Sequence, residues 1–226
     1  MPVLASMVIL SINQMIIIMK KIQRNPRFWT SIKIAVLLVL LSPLGTKAQS
    51  VYKLTPANDV LVKVLGTSNV HDWTMTSTGI ESQGIFKFNS KDELIGLSNF
   101  SFSVQARSLK SGKSSMDDRT YKSILANEFP KIVYQLKTAV VNPLAPNKFQ
   151  LQTTGNLTIA GNTQLISMNV VATINADQSI TCTGSEKLKL TDFKINPPSF
   201  MLGAMKVGND LTIKFDLNYN KSTSAK

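Results

Sequence analysis

The segment His71-Asp72-Trp73 contains the residue types that could do acid–base chemistry. An imidazole titrates near neutral pH, and a carboxylate beside it could orient the ring at the mouth of a pocket. In an extended strand, however, adjacent side chains point to opposite faces, and no serine or cysteine stands at a strand-turn-helix elbow typical of a nucleophile. The sequence therefore favours His71 and Trp73 as structural or pocket-rim residues and predicts that the protein is not an enzyme.

The scarcity of cysteine and histidine excludes several other kinds of site. The chain has one of each, whereas a disulfide needs two cysteines and a structural zinc site needs about four Cys or His ligands. Cys182 has no second cysteine to pair with. It is either buried and unreactive, the interpretation that we favour, or an exposed thiol open to pairing between chains, so a homodimer is compatible with the sequence.

The net charge of +12 is concentrated at the start of the chain. Residues 1–48 contain six Lys or Arg and no acidic residue, which leaves 19 positive and 13 negative side chains, a net +6, in the remainder. Those lysines stand singly among Thr, Ser and Asn, as on an ordinary solvated surface, so we expect no nucleic-acid partner.

Residues 108–119 have a superficial likeness to a phosphate-binding loop, because a glycine and several N–H donors precede a helix. The spacing of a P-loop is absent, and Asp117 and Asp118 would repel an anion. The default interpretation is a helix that covers one end of the fold, where Lys110, Lys113 and Arg119 could at most meet an anionic head group.

Residues 1–48 have the layout of a secretory signal peptide. From Met19 they combine a basic start, an apolar run at 34–41, a Pro-Gly break, and small residues up to Ala48. The run is too short for a membrane-spanning helix, which needs roughly 20 apolar residues. We therefore predict a signal peptide at 1–48, with Met19 as an alternative start, and a periplasmic or secreted domain at 49–226 without a permanent membrane anchor.

The rest of the chain alternates between apolar and polar residues with period two, which indicates half-buried strands. The clearest strands are at 100–104 and 211–217, and weaker ones are at 60–65, 84–88, 132–136, 149–153, 157–159, 165–174, 180–183 and 188–190. Turn residues at 89–92, 142–147, 161–162, 175–178 and 208–209 predict reversals between them.

One stretch favours a helix, from an N-cap at Ser115 through Asp117 and Asp118 to a stop at Pro130. Its apolar side chains are Tyr121, Ile124 and Leu125, and with Phe129 they are expected to dock on the strands. One short helix among eight or more short strands predicts an all-β fold, a single antiparallel barrel or sandwich.

Four segments resemble the YceI-like family of periplasmic polyisoprenoid-binding barrels over nearly all of residues 49–226. They are TSNVHDW at 67–73, SGKSSMD at 111–117 continuing to NEFPKIVY at 127–134, GNLTIAGNT at 155–163, and LTDFKI at 190–195 followed by VGNDLTI at 207–213. Each motif is weak alone, but their order and spacing are specific. The chain departs from the family pattern at Ala160 and in residues 60–66, where many members carry a histidine.

The resemblance implies a lipocalin-like barrel of about eight strands, with one short helix, that holds one long apolar chain such as an isoprenoid lipid or quinone. It implies no other cofactor and no metal. The alternatives that stay open are a structural or stress-related secreted barrel without a ligand and a lipid-modifying enzyme that uses His71. The expected ligand-contacting residues are His71, Trp73, Phe86, Phe88, Phe100, Phe102, Val104, Tyr121, Leu125, Phe129, Tyr134 and Phe215.

Overall fold

The computed structural model describes residues 50–55, 61–200 and 202–222. The predicted signal peptide lies outside these residues. The strands are β1 (Ser50–Leu54), β2 (Leu61–Ser68), β3 (Trp73–Ser77), β4 (Ile80–Phe88), β5 (Leu94–Gln105), β6 (Lys131–Ala145), β7 (Lys148–Ile159), β8 (Asn162–Ile174), β9 (Ile180–Lys189), β10 (Ser199–Phe200) and β11 (Met205–Lys221). Helix α1 spans Ser114–Ser123, and short 3-10 helices span Ala106–Ser108 and Leu190–Phe193.

Eight of these strands close into an antiparallel barrel in the order β1-β4-β5-β6-β7-β8-β9-β11, with β11 pairing back to β1. Strand β2 also pairs with β11, and β3 pairs with β2, so this hairpin branches from the ring. The predicted all-β barrel of about eight strands with one short helix is confirmed.

Strands β7 and β9 were each predicted as two shorter strands, because a glycine interrupts the apolar alternation. In β9, Gly184 lies directly opposite Phe215 of β11, and the Phe215 ring covers the space that a Cβ on Gly184 would need. Trp73 covers Gly66 in the same way across the β2–β3 pair. These glycines are places where an aromatic ring from the neighbouring strand lies against the backbone, and the strands continue through them.

The β4–β5 and β7–β8 turns are formed by residues that suit a chain reversal. Asn89 accepts hydrogen bonds from the backbone N–H groups of Lys91 and Glu93 with its side-chain oxygen, which reverses the chain between β4 and β5. Ala160 and Gly161 both have positive φ, +49° and +74°, as a two-residue hairpin between β7 and β8 requires.

The reversal predicted at residues 208–209 is wrong. These residues lie inside β11, where the pairing with β2 shifts register between Val207 and Leu211. The Asn209 side chain accepts from the backbone N–H of Thr191 and donates to the Thr191 hydroxyl. The polar residues thus stabilise a bulge within one long strand.

Candidate functional site

The interior of the barrel contains a cavity of about 150 Å³ whose wall is formed almost entirely by apolar side chains. Six of the residues predicted to contact a ligand lie in this wall: Phe86, Phe100, Phe102, Val104, Tyr134 and Phe215. They come from strands β4, β5, β6 and β11, and the inward positions alternate with outward ones along each strand.

A second cavity, of about 280 Å³, lies between the barrel and helix α1. His71 and Trp73 lie in its wall, together with helix residues Met116, Arg119 and Thr120. Six residues line both cavities: Val64, Leu109, Ile132, Ile159, Leu188 and Ile213. We call these six residues the waist, because they form the boundary at which the inner and outer cavities meet.

The end of the barrel away from α1 is filled by its own side chains. Tyr52 packs edge-on against Phe86 at 5.3 Å between ring centroids, and Phe86 lies 5.9 Å from Tyr219. Ser82 donates its single hydroxyl proton to the Ser101 carbonyl, so Tyr219 must be the donor in the 2.9 Å bond between the Tyr219 and Ser82 hydroxyls. These rings therefore fill the barrel on this side of the inner cavity, and the waist residues form its wall toward the outer cavity.

Few polar groups lie in the wall of the inner cavity. Cys182 is buried there, and burial, with Asp216 nearby, raises the pKa of its thiol to about 12. The predicted unreactive Cys182 agrees with this position. Glu186 also lines the cavity, and burial raises the pKa of its carboxyl group. Glu186 was not predicted from the sequence, although alternation from Cys182 along β9 places both residues on the inward face.

Tyr134 has the one hydroxyl in the inner wall that is buried without a hydrogen-bond partner in the described residues. Its ring lies against Gly155, and burial raises the pKa of the phenol. The adjacent Thr153 hydroxyl donates to the Met168 carbonyl instead. The Thr153 oxygen can still accept, so Tyr134 and Thr153 form the polar part of this wall.

His71 lies in the loop between β2 and β3, outside both strands, so the alternation argument does not apply to it. Its Nδ1 is 2.8 Å from the backbone carbonyl of Asp72, and because a carbonyl only accepts, Nδ1 carries the proton. The Asp72 carboxylate makes no hydrogen bond to the ring among the described residues. His71 is exposed at the rim of the outer cavity.

Helix α1 lies beside the outer cavity, as expected for a helix that covers one barrel end, but its start was predicted wrongly. Lys113 precedes the first helical residue, and Ser115 lies inside the helix. Asp117 does not bond to the first turn; it accepts from the Ser111 backbone N–H at 2.8 Å and from the Ser111 hydroxyl at 2.7 Å. Ser111 therefore fixes the loop before the helix.

Four predicted contact residues do not line either interior cavity. Phe88 packs beside Tyr52 at 6.1 Å between ring centroids. Tyr121 is buried and donates its hydroxyl to backbone carbonyls, including that of Leu109 at 2.7 Å. Leu125 follows the helix with a φ of +52°, which turns it away from the apolar stripe, and Phe129 lies against Gly161.

The described residues contain no cluster of His, Cys, Asp or Glu that could hold a metal ion. In the same part of the chain, no helix is both long and apolar enough to cross a membrane.

Comparisons with known proteins place this geometry in context. A family model described as the YceI-like domain matches residues 52–219. Among solved structures, BcnA from Burkholderia cenocepacia has a TM-score of 0.56 at 17% identity, covering 70% of this chain and 95% of that one. A polyisoprenoid-binding domain from Saccharophagus degradans, implicated in plant cell wall breakdown, has a TM-score of 0.59 at 10% identity, covering 76% and 98%. The comparison with curated proteins gives no match.

Proposed function

Because the chain belongs to the YceI-like domain family, we propose that it binds one slender apolar lipid inside its barrel and catalyses no reaction. The observation that carries this proposal is the apolar inner cavity, which shares the six waist residues of its wall with the outer cavity. A barrel filled by its own side chains, the structural alternative, would not leave this space.

The size of the cavities favours a chain of moderate length. An apolar cavity of about 150 Å³ holds about one six-carbon ring, and the inner cavity has that volume. With the outer cavity of about 280 Å³, the site accommodates on the order of 15 to 20 carbons. At about 0.8 kcal/mol for each buried CH₂, burial contributes on the order of 12 to 16 kcal/mol before the costs of ordering the ligand.

The proposed ligand is of isoprenoid type, and the proposed location is the periplasm or the exterior. The neighbour from Saccharophagus degradans carries the description of a polyisoprenoid-binding domain, and a branched chain of slender cross-section suits a narrow apolar passage. The signal-like residues 1–48 support export.

A binding role is favoured over catalysis by the position of His71. The one hydrogen bond of its ring in the described residues is to a backbone carbonyl, which fixes a tautomer without supplying the carboxylate partner of an acid–base pair. No observation favours a reaction centred on this residue.

Titration with geranylgeraniol, a neutral C20 prenol, tests the proposal. Trp73 lines the outer cavity and reports on occupancy, and a Trp29→Phe background makes it the sole tryptophan. We expect saturable binding of one prenol per chain, together with a rise in thermal midpoint. Absence of saturable binding by the folded, lipid-free protein would overturn the proposal.

A further inference from the structure

The charged side chains in the wall of the outer cavity are all positive. Lys113 and Arg119 from the region of helix α1 and Lys189 from the end of β9 lie in this wall, with His71 beside them. All four side chains belong to exposed residues at the rim. No aspartate or glutamate lies among the residues that line the outer cavity.

The acidic residues of the helix are used elsewhere. Asp117 is buried and accepts from Ser111, with Lys110 at 3.7 Å from its carboxylate. Asp118 lines a separate surface pocket on the outer side of the helix. Among the described residues, Lys113, Arg119 and Lys189 make no ion pair, and Asp210, which lies opposite Lys189 on β11, is not part of the cavity wall.

Arg119 is held in place by an aromatic ring. Its guanidinium carbon lies 4.3 Å from the centroid of the Phe200 ring, and Phe200 also lines the outer cavity. A guanidinium stacked on an aromatic face keeps its N–H donors free at the edge, where they can bind an oxyanion. Below this rim the wall becomes apolar toward the waist.

We propose that the ligand of this barrel is an anionic amphiphile, whose phosphate or carboxylate head group is bound at the rim by Arg119, Lys113 and Lys189 while its apolar chain passes the waist. This inference rests on the proposed function and adds the chemical class of the head group. We assign the anionic head group and the apolar tail to one ligand molecule, because the cations lie at the opening of an apolar cavity and not in a closed polar site.

Three probes test the head group. Geranylgeranyl phosphate and geranylgeraniol share the same C20 chain and differ in the head group, and sodium phosphate has no apolar chain. Each exposed ion contact changes affinity by about 1.5- to 5-fold, so three contacts together favour the phosphate over the alcohol on the order of tenfold at low salt. The preference should shrink as salt is added, because exposed charges are screened. Sodium phosphate should neither bind nor displace the prenyl phosphate at comparable concentrations.

Variants separate charge from packing. Lys189→Gln and Arg119→Gln should weaken geranylgeranyl phosphate by about 2- to 5-fold each and affect geranylgeraniol less, because the alcohol has no charge for these side chains to bind. Arg119→Lys keeps the charge and should retain most of the preference even if the contact with Phe200 is altered. The matched control is Lys148→Gln at the start of β7, beside the β6–β7 turn at the opposite end of the barrel, which should change neither affinity.

The outcomes distinguish this inference from the proposed function. Equal binding of phosphate and alcohol, unaffected by Lys189→Gln, would overturn the head-group inference and leave the apolar binding role intact. Binding of sodium phosphate as tight as that of the prenyl phosphate would also overturn it, because the rim would then be a plain anion site. Failure of both prenyl probes to bind would overturn both.

Discussion

Replacing Ile213 by phenylalanine is expected to block the passage between the two cavities. Ile213 lies near the middle of β11, directly opposite Val64 of β2, and both residues belong to the waist. Ile132 and Ile159, from β6 and β7, are also waist residues. A larger ring at position 213 projects into this boundary and separates the inner cavity from the rim.

The size of the effect follows from the volume that becomes inaccessible. The inner cavity of about 150 Å³ holds about six carbons. At about 0.8 kcal/mol each, their burial is worth roughly 5 kcal/mol. The cost of ordering this part of the chain offsets about half of that gain. We therefore expect the affinity for geranylgeraniol to fall on the order of 100-fold. Because the ring enters existing space, the loss of stability should stay near the low end of overpacking costs, about 1 kcal/mol.

The assay is the Trp73 fluorescence titration, combined with a thermal melt of each lipid-free variant. Leu165→Phe is the matched control, because Leu165 is 60% exposed on β8 and gains the same type of ring outside the barrel. If folded Ile213→Phe protein binds geranylgeraniol as tightly as the control, the ligand does not pass the waist and the two cavities do not form one site.

Further predictions concern the lining, the thiol, the loop before the helix and the helix itself. Phe102→Ser should release bound lipid from a folded barrel, while His71→Ala should weaken lipid binding by no more than the value of one hydrogen bond, about 0.5 to 1.5 kcal/mol. Loss of lipid from His71→Ala with full retention by Phe102→Ser would contradict the assignment of the binding energy to the apolar wall. Cys182 should resist alkylation at pH 8, because burial raises the pKa of its thiol to about 12; rapid labelling of the native protein would disprove this. Burial alone would raise the pKa of Asp117, but its hydrogen bonds from Ser111 and the charge of Lys110 lower it overall. Its stabilising contribution is therefore present above its unfolded pKa of about 4 and lost as pH falls below that value. Asp117→Ala should remove this pH dependence and about 1.5 to 3 kcal/mol of stability, measured by urea unfolding at pH 3 and 7. Loading with geranylgeraniol should slow amide exchange in helix α1 more than in β11, since a ten-residue helix depends on docking for its order; equal protection in both states would mean that the helix is fixed core.

The barrel could be predicted from the sequence because alternation reports directly which face of a strand is buried. Phe100, Phe102 and Val104 alternate with serines, and β5 has its inward side chains at these positions. Strands β1 and β3 were not predicted, because Tyr52 is the one buried residue of β1 and a buried position of β3 is the polar residue Ser77, so neither strand shows a clear apolar alternation.

The predictions that were wrong concern places where a side chain forms hydrogen bonds with a different segment of the chain. Asn209 favours a turn on its own, but its bonds to Thr191 hold a bulge in β11. Ser115 is a good N-cap residue by type, yet Ser111 and Asp117 arrange the loop so that the N-cap is Lys113 and the helix begins two residues earlier than predicted, at Ser114. Such choices depend on contacts between segments that local sequence patterns do not contain.

The candidate site was predictable in its apolar part and not in its polar rim. Inward-facing aromatic residues of a barrel are pocket residues wherever the barrel is not filled, so Phe86, Phe100 and Phe215 followed from alternation alone. The assembly of Lys189 with Arg119 depends on which end of β9 meets helix α1, and only the strand order supplies that information.

The most direct test of a lipid-carrying barrel is organic extraction of the full protein purified from its own host, followed by mass spectrometry of the extract. The account predicts about one equivalent of an isoprenoid of on the order of 15 to 20 carbons, and an acidic head group if the rim assignment holds. The account would be contradicted if folded protein from the host released no lipid on extraction and an unextracted sample of it also failed to bind added geranylgeraniol.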